Sequence, residues 1–131
     1  MNVVLRGDVN HIRIGRRTNI QDLTLVHGMR QTHATVIGDE VTVGHSAIVH
    51  GATIGDRVLI GMGAIVLNGV HVEADCVIAA GTLLTEDTRI PARSLVMGRP
   101  GKVKRQLTDM EVAEIRWYAD AYVGYRLDYL K

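Results

Sequence analysis

Aliphatic residues recur at every sixth position along most of this chain. The longest uninterrupted run of them is Ile54, Ile60, Val66, Val72, Ile78, Leu84 and Ile90. The same spacing upstream gives Ile14, Ile20 and Val26 and then, after a slip, Ile37, Val43 and Val49. A period of six matches neither an α-helix nor an ordinary strand. It predicts an all-β solenoid of short strands, in which one aliphatic residue per hexad points into a continuous core.

Three hexads make one triangular coil of eighteen residues, so residues eighteen apart are expected to stack at the strand spacing of about 4.8 Å. Four residues after most of these aliphatics stands a small or β-branched residue; the set is Thr18, Thr24, Val41, Ala47, Thr53, Val58, Ala64, Val70, Cys76, Thr82 and Thr88. The single cysteine belongs to this set, which predicts a packed thiol. Glycines often follow the aliphatics and are expected to supply corner conformations closed to other residues; they are Gly15, Gly38, Gly44, Gly55 and Gly61.

Two irregularities interrupt the spacing. The step from Val26 to Ile37 is eleven residues, so about five extra residues within Gly28–Thr35 are predicted to loop out at a corner. The step from Val49 to Ile54 is five, one residue short. Both irregularities lie beside histidines, as expected where a regular scaffold is bent to build a site.

The chain divides into three parts along its length. Residues 1–90 are predicted to form the solenoid, 91–107 an extended strap along it, and 108–131 a helix that packs on a flank of the solenoid. Thr108 and Glu111 have the spacing of a capping box at the start of that helix. One apolar stripe follows along it: Val112, Ile115, Ala119, Tyr122, Val123, Leu127 and Leu130.

Composition narrows the class of protein further. The chain has 131 residues, enough for one domain with a substantial core, and a net charge of +1. Because acids and bases look interspersed, neither nucleic acid nor a membrane surface is an expected partner. There is no apolar run of about 18 residues and no basic-then-apolar signal pattern at the N-terminus. The expectation is a soluble, cytoplasmic protein.

Three histidines stand out against the repeat. His27 and His50 follow Val26 and Val49, in equivalent places one coil apart, so two imidazoles there can share one metal ion. His45 lies in the preceding hexad at a different offset and reaches the same ion most easily from a neighbouring subunit. Three histidine ligands with an open fourth position are typical of a catalytic zinc site. Chance decoration of corners is the alternative for any single histidine, and solvated side chains are expected for the others, His11, His33 and His71.

Several short motifs are distributed along the chain: Leu5-Arg-Gly-Asp8, Thr18-Asn-Ile-Gln-Asp22, Val26-His27, Val43-Gly-His45, Val49-His-Gly51, Leu59-Ile-Gly-Met-Gly63, Ile90-Pro91 and Ser94-Leu-Val-Met-Gly-Arg-Pro100. Together they resemble the γ-class carbonic anhydrase family over essentially the whole chain. The resemblance implies a left-handed parallel β-helix and a homotrimer with three interfacial metals. In that arrangement His27 and His50 come from one subunit and His45 from the next.

The resemblance also implies roles for other residues. Arg6 and Asp8 are similar to a pair that bridges subunits. Asn19 and Gln21 resemble amides beside the metal that position water, bicarbonate or CO₂, and Asp22 resembles a partner in their network. Tyr122 is similar to a tyrosine that the C-terminal helix contributes near the site, although its place in the apolar stripe also fits core packing.

The implied activity is reversible hydration of CO₂ to bicarbonate by a metal-bound hydroxide at a subunit interface. Zinc is the expected cofactor, and Fe²⁺ or Co²⁺ also suits imidazole ligands. Two features depart from the family. The first coil is expected to present an open edge, because relatives carry one or two further coils before Arg6. The loop Gly28–Thr35 lacks the acidic proton shuttle, so activity is expected to be weak.

Two other functions remain open at this point. The first is a non-catalytic metal-binding or assembly protein of the same family, which keeps the histidines but not the shuttle. The second is a hexapeptide-repeat acyltransferase, which uses the same solenoid with a catalytic histidine and no metal; the three-histidine constellation argues against it.

Overall fold

The fold is the left-handed parallel β-helix that the hexad spacing and the family resemblance predict. A computed structural model describes residues 2–131, and Met1 lies outside them. Sheet 1 contains β1 (Val4–Arg6), β4 (Leu25–His27), β7 (Ile48–His50), β10 (Ile65–Val66) and β13 (Leu83–Leu84). Sheet 2 contains β2 (Ile12–Ile14), β5 (Thr35–Ile37), β8 (Thr53–Ile54), β11 (His71–Val72) and β14 (Arg89–Ile90). Sheet 3 contains β3 (Asn19–Ile20), β6 (Thr42–Val43), β9 (Leu59–Ile60), β12 (Val77–Ile78), β15 (Ser94–Gly98) and β16 (Gly101–Gln106).

Strand register confirms both predicted irregularities. In sheet 1, Val26 pairs with Val49, 23 residues on, which is one coil plus the five looped-out residues. Val49 pairs with Val66, 17 residues on, which is one coil less the missing residue. Val66 then pairs with Leu84 at the regular spacing of 18.

A third irregularity lies in the first coil, and the prediction of only two was wrong. Leu5 pairs with Val26, 21 residues on, so three extra residues lie between β1 and β2. The spacing of aliphatics could not reveal this insertion, because the regular beat begins only at Ile14. The insertion lies within residues 7–11, which include Asp8.

The inward aliphatics form one continuous core from Val26 to Val96. Thr18 and Thr88, at the two ends of the set, are half-buried, and the small residues between them are buried with one exception. Thr53 is exposed, and Ala52 is buried in the place predicted for it. The one-residue deletion after Val49 shifts the buried position by one residue toward the N-terminus.

The five glycines that follow the aliphatics have a different reason from the one expected. Gly44 and Gly55 are not among the residues with positive φ, whereas Arg57 and Asp75 are. A Cβ on Gly44 would lie 2.8 Å from the backbone nitrogen of Met62, and one on Gly55 would lie 2.9 Å from that of Ala74. Close approach of the next coil therefore requires glycine here.

The coil continues beyond residue 90. β15 pairs in parallel with β12, with Val96 opposite Ile78 at the regular spacing of 18. β16 then returns antiparallel to β15. Residues 91–107 thus form one more side of the solenoid and a hairpin, because Val96 keeps the six-residue spacing from Ile90 and is fully buried.

The C-terminal helix α1 runs over Asp109–Tyr125 and is followed by a 3₁₀ segment, Arg126–Leu130. The predicted capping box is present. Ile115 and Ala119 are buried on the flank of sheet 3, but Leu127 and Leu130 are exposed, so the packed part of the apolar stripe ends earlier than predicted. No helix among residues 2–131 is long and apolar enough to span a membrane.

We expect the helix cap to weaken as pH falls through the acidic range. Hydrogen bonds from Arg105 and from Thr108 lower the pKa of Glu111 from 4.5 to about 2. A lowered pKa in the folded state contributes stability above the unfolded pKa that is lost as pH falls toward about 2. Side-chain NMR titration of Glu111 checks the pKa, and Glu111→Gln should remove this part of the pH dependence of unfolding. A Glu111 midpoint near 4.5 would contradict the cap geometry.

Candidate metal centre

His27 and His50 stand side by side at the ends of neighbouring strands of sheet 1. β4 and β7 pair in parallel with His27 opposite His50. The ring centroids are 5.0 Å apart, and Nδ1 of His27 faces Nε2 of His50 at 3.0 Å. The predicted equivalence of the two positions is therefore confirmed.

The outer nitrogens of both rings are held by oxygen acceptors. Nε2 of His27 lies 2.9 Å from Oδ1 of Asp8, and Nδ1 of His50 lies 2.7 Å from Oδ1 of Asn68. Carboxylate and amide oxygens only accept, so the outer nitrogens donate, and an imidazole with one N–H then carries its lone pair on the inner nitrogen. The guanidinium of Arg6, which only donates, lies 3.4 Å from the inner nitrogen of His27. Two lone pairs that face each other provide two ligands for one cation. We call Nδ1 of His27 and Nε2 of His50 the donor pair.

Asp8 is ionised in this arrangement. The hydrogen bond from His27 lowers the pKa of Asp8 below its usual 3.8, and the positive charge of Arg6 adds to this effect against the cost of desolvation. Nε of Arg6 lies 3.6 Å from Oδ1 of Asp8. The two residues thus contact each other and His27 from the irregular first coil.

His45 lies at the other corner that flanks sheet 1, between β6 and β7. Its Nδ1 is 3.2 Å from Oδ2 of Asp22. The carboxylate beside Nδ1 favours an N–H on that nitrogen, and Nε2 is then the nitrogen that can bind a metal. His45 therefore has the outer-oxygen arrangement of a metal ligand, but it stands apart from His27 and His50.

The two amides of the predicted network lie beside His45. Nε2 of Gln21 donates to Oδ1 of Asn19 at 3.3 Å, and Nδ2 of Asn19 donates to the hydroxyl of Thr42 at 2.9 Å. Thr42 is buried in the next coil, so it fixes the orientation of Asn19 and, through it, of Gln21.

A cleft of about 760 Å³ opens between sheet 3 and the end of α1. Gln21, Asp22, His45 and Tyr122 line it. Tyr122 is half-buried and packs edge-on against Tyr125, with ring centroids 5.5 Å apart. Its ring therefore belongs to the wall of the cleft rather than to the solenoid core.

One chain brings the predicted site residues together in two groups. Arg6 and Asp8 gather around His27 and His50, whereas Asn19, Gln21, Asp22 and Tyr122 gather around His45. Within residues 2–131, no three histidine, cysteine, aspartate or glutamate side chains converge to hold a metal in a single chain.

Sequence reasoning missed Asn68 and Thr42. Thr42 follows Asn19 by 23 residues, one coil with its insertion, and the coil arithmetic that paired the histidines could have identified it. Asn68 follows His50 by 18 residues, one more than the 17 of that coil, so the same arithmetic points to Leu67 and misses Asn68.

The other histidines lack this arrangement. His33 is half-buried instead of solvated, because the loop folds back onto the neighbouring coils. A Cβ on Gly51 would lie 2.9 Å from Cβ of His33, and one on Gly69 would lie 3.4 Å from its Nε2. The ring thus stands over the corner that follows His50, with its Nδ1 3.0 Å from the hydroxyl of Thr32.

Residues 51–86 match the family model described as bacterial transferase hexapeptide (six repeats). The chain is 49% identical over 126 residues to "Gamma carbonic anhydrase 2, mitochondrial" of Arabidopsis thaliana, an alignment that covers 92% of this chain but only 45% of that protein. It is 47% identical to "Probable carbonic anhydrase" of Methanocaldococcus jannaschii, over 93% of this chain and 76% of the relative.

Among solved structures, a hexapeptide transferase family protein from Anaplasma phagocytophilum superposes with a TM-score of 0.93 at 41% identity. The match covers 98% of this chain and 75% of that one. The chain spans about half the length of the plant relative, but it spans most of the archaeal one at high identity. It therefore belongs to the γ-class carbonic anhydrase-like family of hexapeptide-repeat proteins.

Proposed function

We propose that this protein is a γ-type carbonic anhydrase-like metalloenzyme that catalyses reversible hydration of CO₂ to bicarbonate at an interface of a homotrimer. The observation that carries the proposal is the pair of facing nitrogens, Nδ1 of His27 and Nε2 of His50, at 3.0 Å. Asp8 and Asn68 bind the opposite nitrogens, so both rings offer lone pairs to the same point. Relatives named as carbonic anhydrases agree with this assignment.

The ligands of the proposed metal are His27 and His50 of one subunit and His45 of the next. His45 stands at a different corner from the other two, so a second copy is the simplest way to complete the set. Zinc is the ion we propose, and Fe²⁺ or Co²⁺ would suit the same imidazoles. When bound, zinc lowers the pKa of water to about 7 and so supplies hydroxide at neutral pH, a general property of carbonic anhydrase zinc sites.

The remaining polar residues position the reactants and the ligands. Among residues 2–131, the contact with Asn19 is the only hydrogen bond from the side chain of Gln21, which leaves its carbonyl oxygen and second N–H for CO₂ or bicarbonate. Asp8 and Asn68 hold the tautomers of His27 and His50 by hydrogen bonds, and Asp22 lies beside Nδ1 of His45. Arg6 lies next to the donor pair and, as a cation, favours an anionic product there.

Tyr122 supplies a hydroxyl on the wall of the same cleft. A phenol both donates and accepts, so it suits a role in orienting bicarbonate or water. Because Tyr122 packs on Tyr125, the position of α1 determines where this hydroxyl lies.

An acyltransferase is the second candidate, since the superposed solved structure is named a hexapeptide transferase family protein. The cleft of about 760 Å³ is also larger than CO₂ requires. Acyl transfer by a single general base, however, gives no reason for two imidazole lone pairs to face each other with both outer nitrogens bound. The donor pair therefore favours the metalloenzyme.

Metal content and two assays on the same preparation test the proposal. We expect about one zinc per subunit, CO₂ hydration in stopped-flow that falls when a chelator removes the metal, and recovery when zinc is restored. Acetyl transfer from acetyl-coenzyme A serves as the matched control assay. Transfer that persists in chelated protein, with no hydration, would identify the acyltransferase instead.

A further inference from the structure

Positive charge is concentrated in one segment of the chain. Residues 88–107 contain six basic residues and no acidic one, and they are Arg89, Arg93, Arg99, Lys102, Lys104 and Arg105. Since the chain has 15 bases and 14 acids in total, the remainder has nine bases against all 14 acids. A net charge near zero therefore conceals a strong asymmetry.

This segment forms β14, β15 and β16 at the C-terminal end of the solenoid. The hairpin folds against the last coil: a Cβ on Gly101 would lie 2.7 Å from the side chain of Thr82 and 2.8 Å from that of Leu84. The basic side chains are thus gathered at one end of the molecule.

Two of the six basic side chains are neutralised by α1. Arg93 pairs with Asp109 at 2.6 Å, and Arg105 pairs with Glu111 at 2.7 Å. The other four have no acidic partner within the part of the chain that the structure describes, and all four are exposed; they are Arg89, Arg99, Lys102 and Lys104.

Two exposed apolar side chains lie among these charges. Met97, paired across the hairpin with Lys102, is 39% exposed, and Val103 is 45% exposed. The only acids of the last coil, Glu86 and Asp87, lie between β13 and β14, at the corner that precedes Arg89 and away from the hairpin. We call the four unpaired bases with Met97 and Val103 the basic end.

We propose that the basic end docks on the surface of an anionic lipid bilayer. Each basic side chain held near an anionic leaflet strengthens binding by about fivefold, and small apolar side chains between them enter the headgroup region. Single-stranded nucleic acid is a poorer fit, because residues 88–107 contain no aromatic side chain on which a base could stack. The even mixture of charges inferred from net charge does not hold at this end.

The homotrimer proposed above would strengthen this docking. Copies related by a threefold axis along the solenoids present the same end in the same direction. Three basic ends would then lie on one face, and their attractions to a membrane would combine. Docking requires neither the metal nor CO₂ hydration, so the two proposals fail separately.

Exposed lysines on β16 have a simpler explanation that also needs testing. Lysine on an edge strand discourages pairing with the edge of another molecule. If preventing edge pairing is the only role of these lysines, their neutralisation causes self-association, and the native protein does not bind lipid.

Co-sedimentation with vesicles of phosphatidylcholine and roughly one-third phosphatidylserine tests the docking. We expect the full chain to bind at low ionic strength, to dissociate as salt rises, and to ignore pure phosphatidylcholine. Lys102→Gln with Lys104→Gln should lower the partition coefficient at least about tenfold. Met97→Ser should weaken binding without changing its salt dependence.

Matched variants separate local charge from net charge. Arg13→Gln with Arg116→Gln removes the same charge from exposed sites elsewhere and should change binding less than about twofold. Lys102→Arg with Lys104→Arg should retain binding. Three outcomes would each overturn the proposal. The first is an equal loss of lipid binding in the two double glutamine variants, and the second is tighter binding to single-stranded DNA than to vesicles. The third is aggregation of Lys102→Gln with Lys104→Gln when the native chain does not bind lipid.

Discussion

His45→Ala is expected to strip the metal from the protein although His27 and His50 keep their positions. Loss of one of three ligands removes a coordinate bond and opens the site, so zinc affinity should fall by more than about 100-fold, since even the outer partners of metal ligands contribute about 10- to 100-fold. The trimer should weaken as well, because each metal would bind two subunits together. Metal analysis after dialysis and sedimentation velocity measure both effects.

His71→Ala is the matched control for that variant. His71 is half-buried like His45, but it lies on sheet 2 opposite Thr53 and Arg89, away from the other histidines. The His71→Ala variant should leave both the metal content and the trimer unchanged. Equal metal content in the two variants would mean that the wrong histidines were chosen.

Mixed trimers give a sharper test of a site shared between subunits. His45→Ala and His27→Ala should each hold little metal alone. After the two are unfolded together and reassembled, about one quarter of interfaces combine an intact pair with an intact His45, so metal should return in that proportion. A mixture of His45→Ala with the double variant His27→Ala/His45→Ala contains no intact His45 and should stay empty.

A stable monomer that holds one metal per chain would contradict the shared site. Metal that does not return in the mixed trimers, while each variant folds normally, would contradict it as well. Circular dichroism of each variant establishes that the fold is retained.

The solenoid could be predicted from sequence because its geometry repeats at the level of single residues. An inward aliphatic at every sixth position identifies the three sides of each coil. The interruptions after Val26 and Val49 indicate the insertion and the deletion. The place of His27 beside His50 follows from the same count. Counting residues between aliphatics fails in the first coil, because no regularly spaced aliphatic precedes the insertion that carries Asp8.

Two other features depend on contacts between distant coils rather than on local pattern. Thr53 lies at the sequence position predicted for a buried small residue, but the deletion after Val49 places Ala52 in the buried position instead. The apolar stripe of the helix runs to Leu130 in sequence, whereas burial ends near Ala119 because the side chains beyond it extend past the flank of sheet 3. The direction of the lone pairs of His27 and His50 depends on Asp8 and Asn68, which the hexad period does not single out.

CO₂ hydration is expected to be slow at low buffer and to rise with the concentration of a small imidazole buffer. Each turnover must pass a proton from the site to solvent, and residues 28–35 contain no carboxylate to carry it. A diffusing imidazole takes the proton directly, so the rate should follow its concentration until another step limits turnover.

A carboxylate in the loop should replace part of that buffer. Arg30 is exposed in the loop, and Arg30→Glu should raise the rate at low buffer by about 10-fold or more, within the range for a positioned proton-transfer group. Arg30→Gln, which removes the same positive charge without adding a base, should not.

His33 is the nearest base that the loop offers at present. Its ring stands over Gly51 and Gly69 at the corner that follows His50, so His33→Ala should lower the rate at low buffer, and added imidazole should restore it. An unchanged rate in His33→Ala would mean that no side chain of the loop carries the proton. A zinc-loaded trimer without hydration at any imidazole concentration would contradict the enzyme assignment altogether, and it would favour a metal-binding assembly protein that keeps the three histidines.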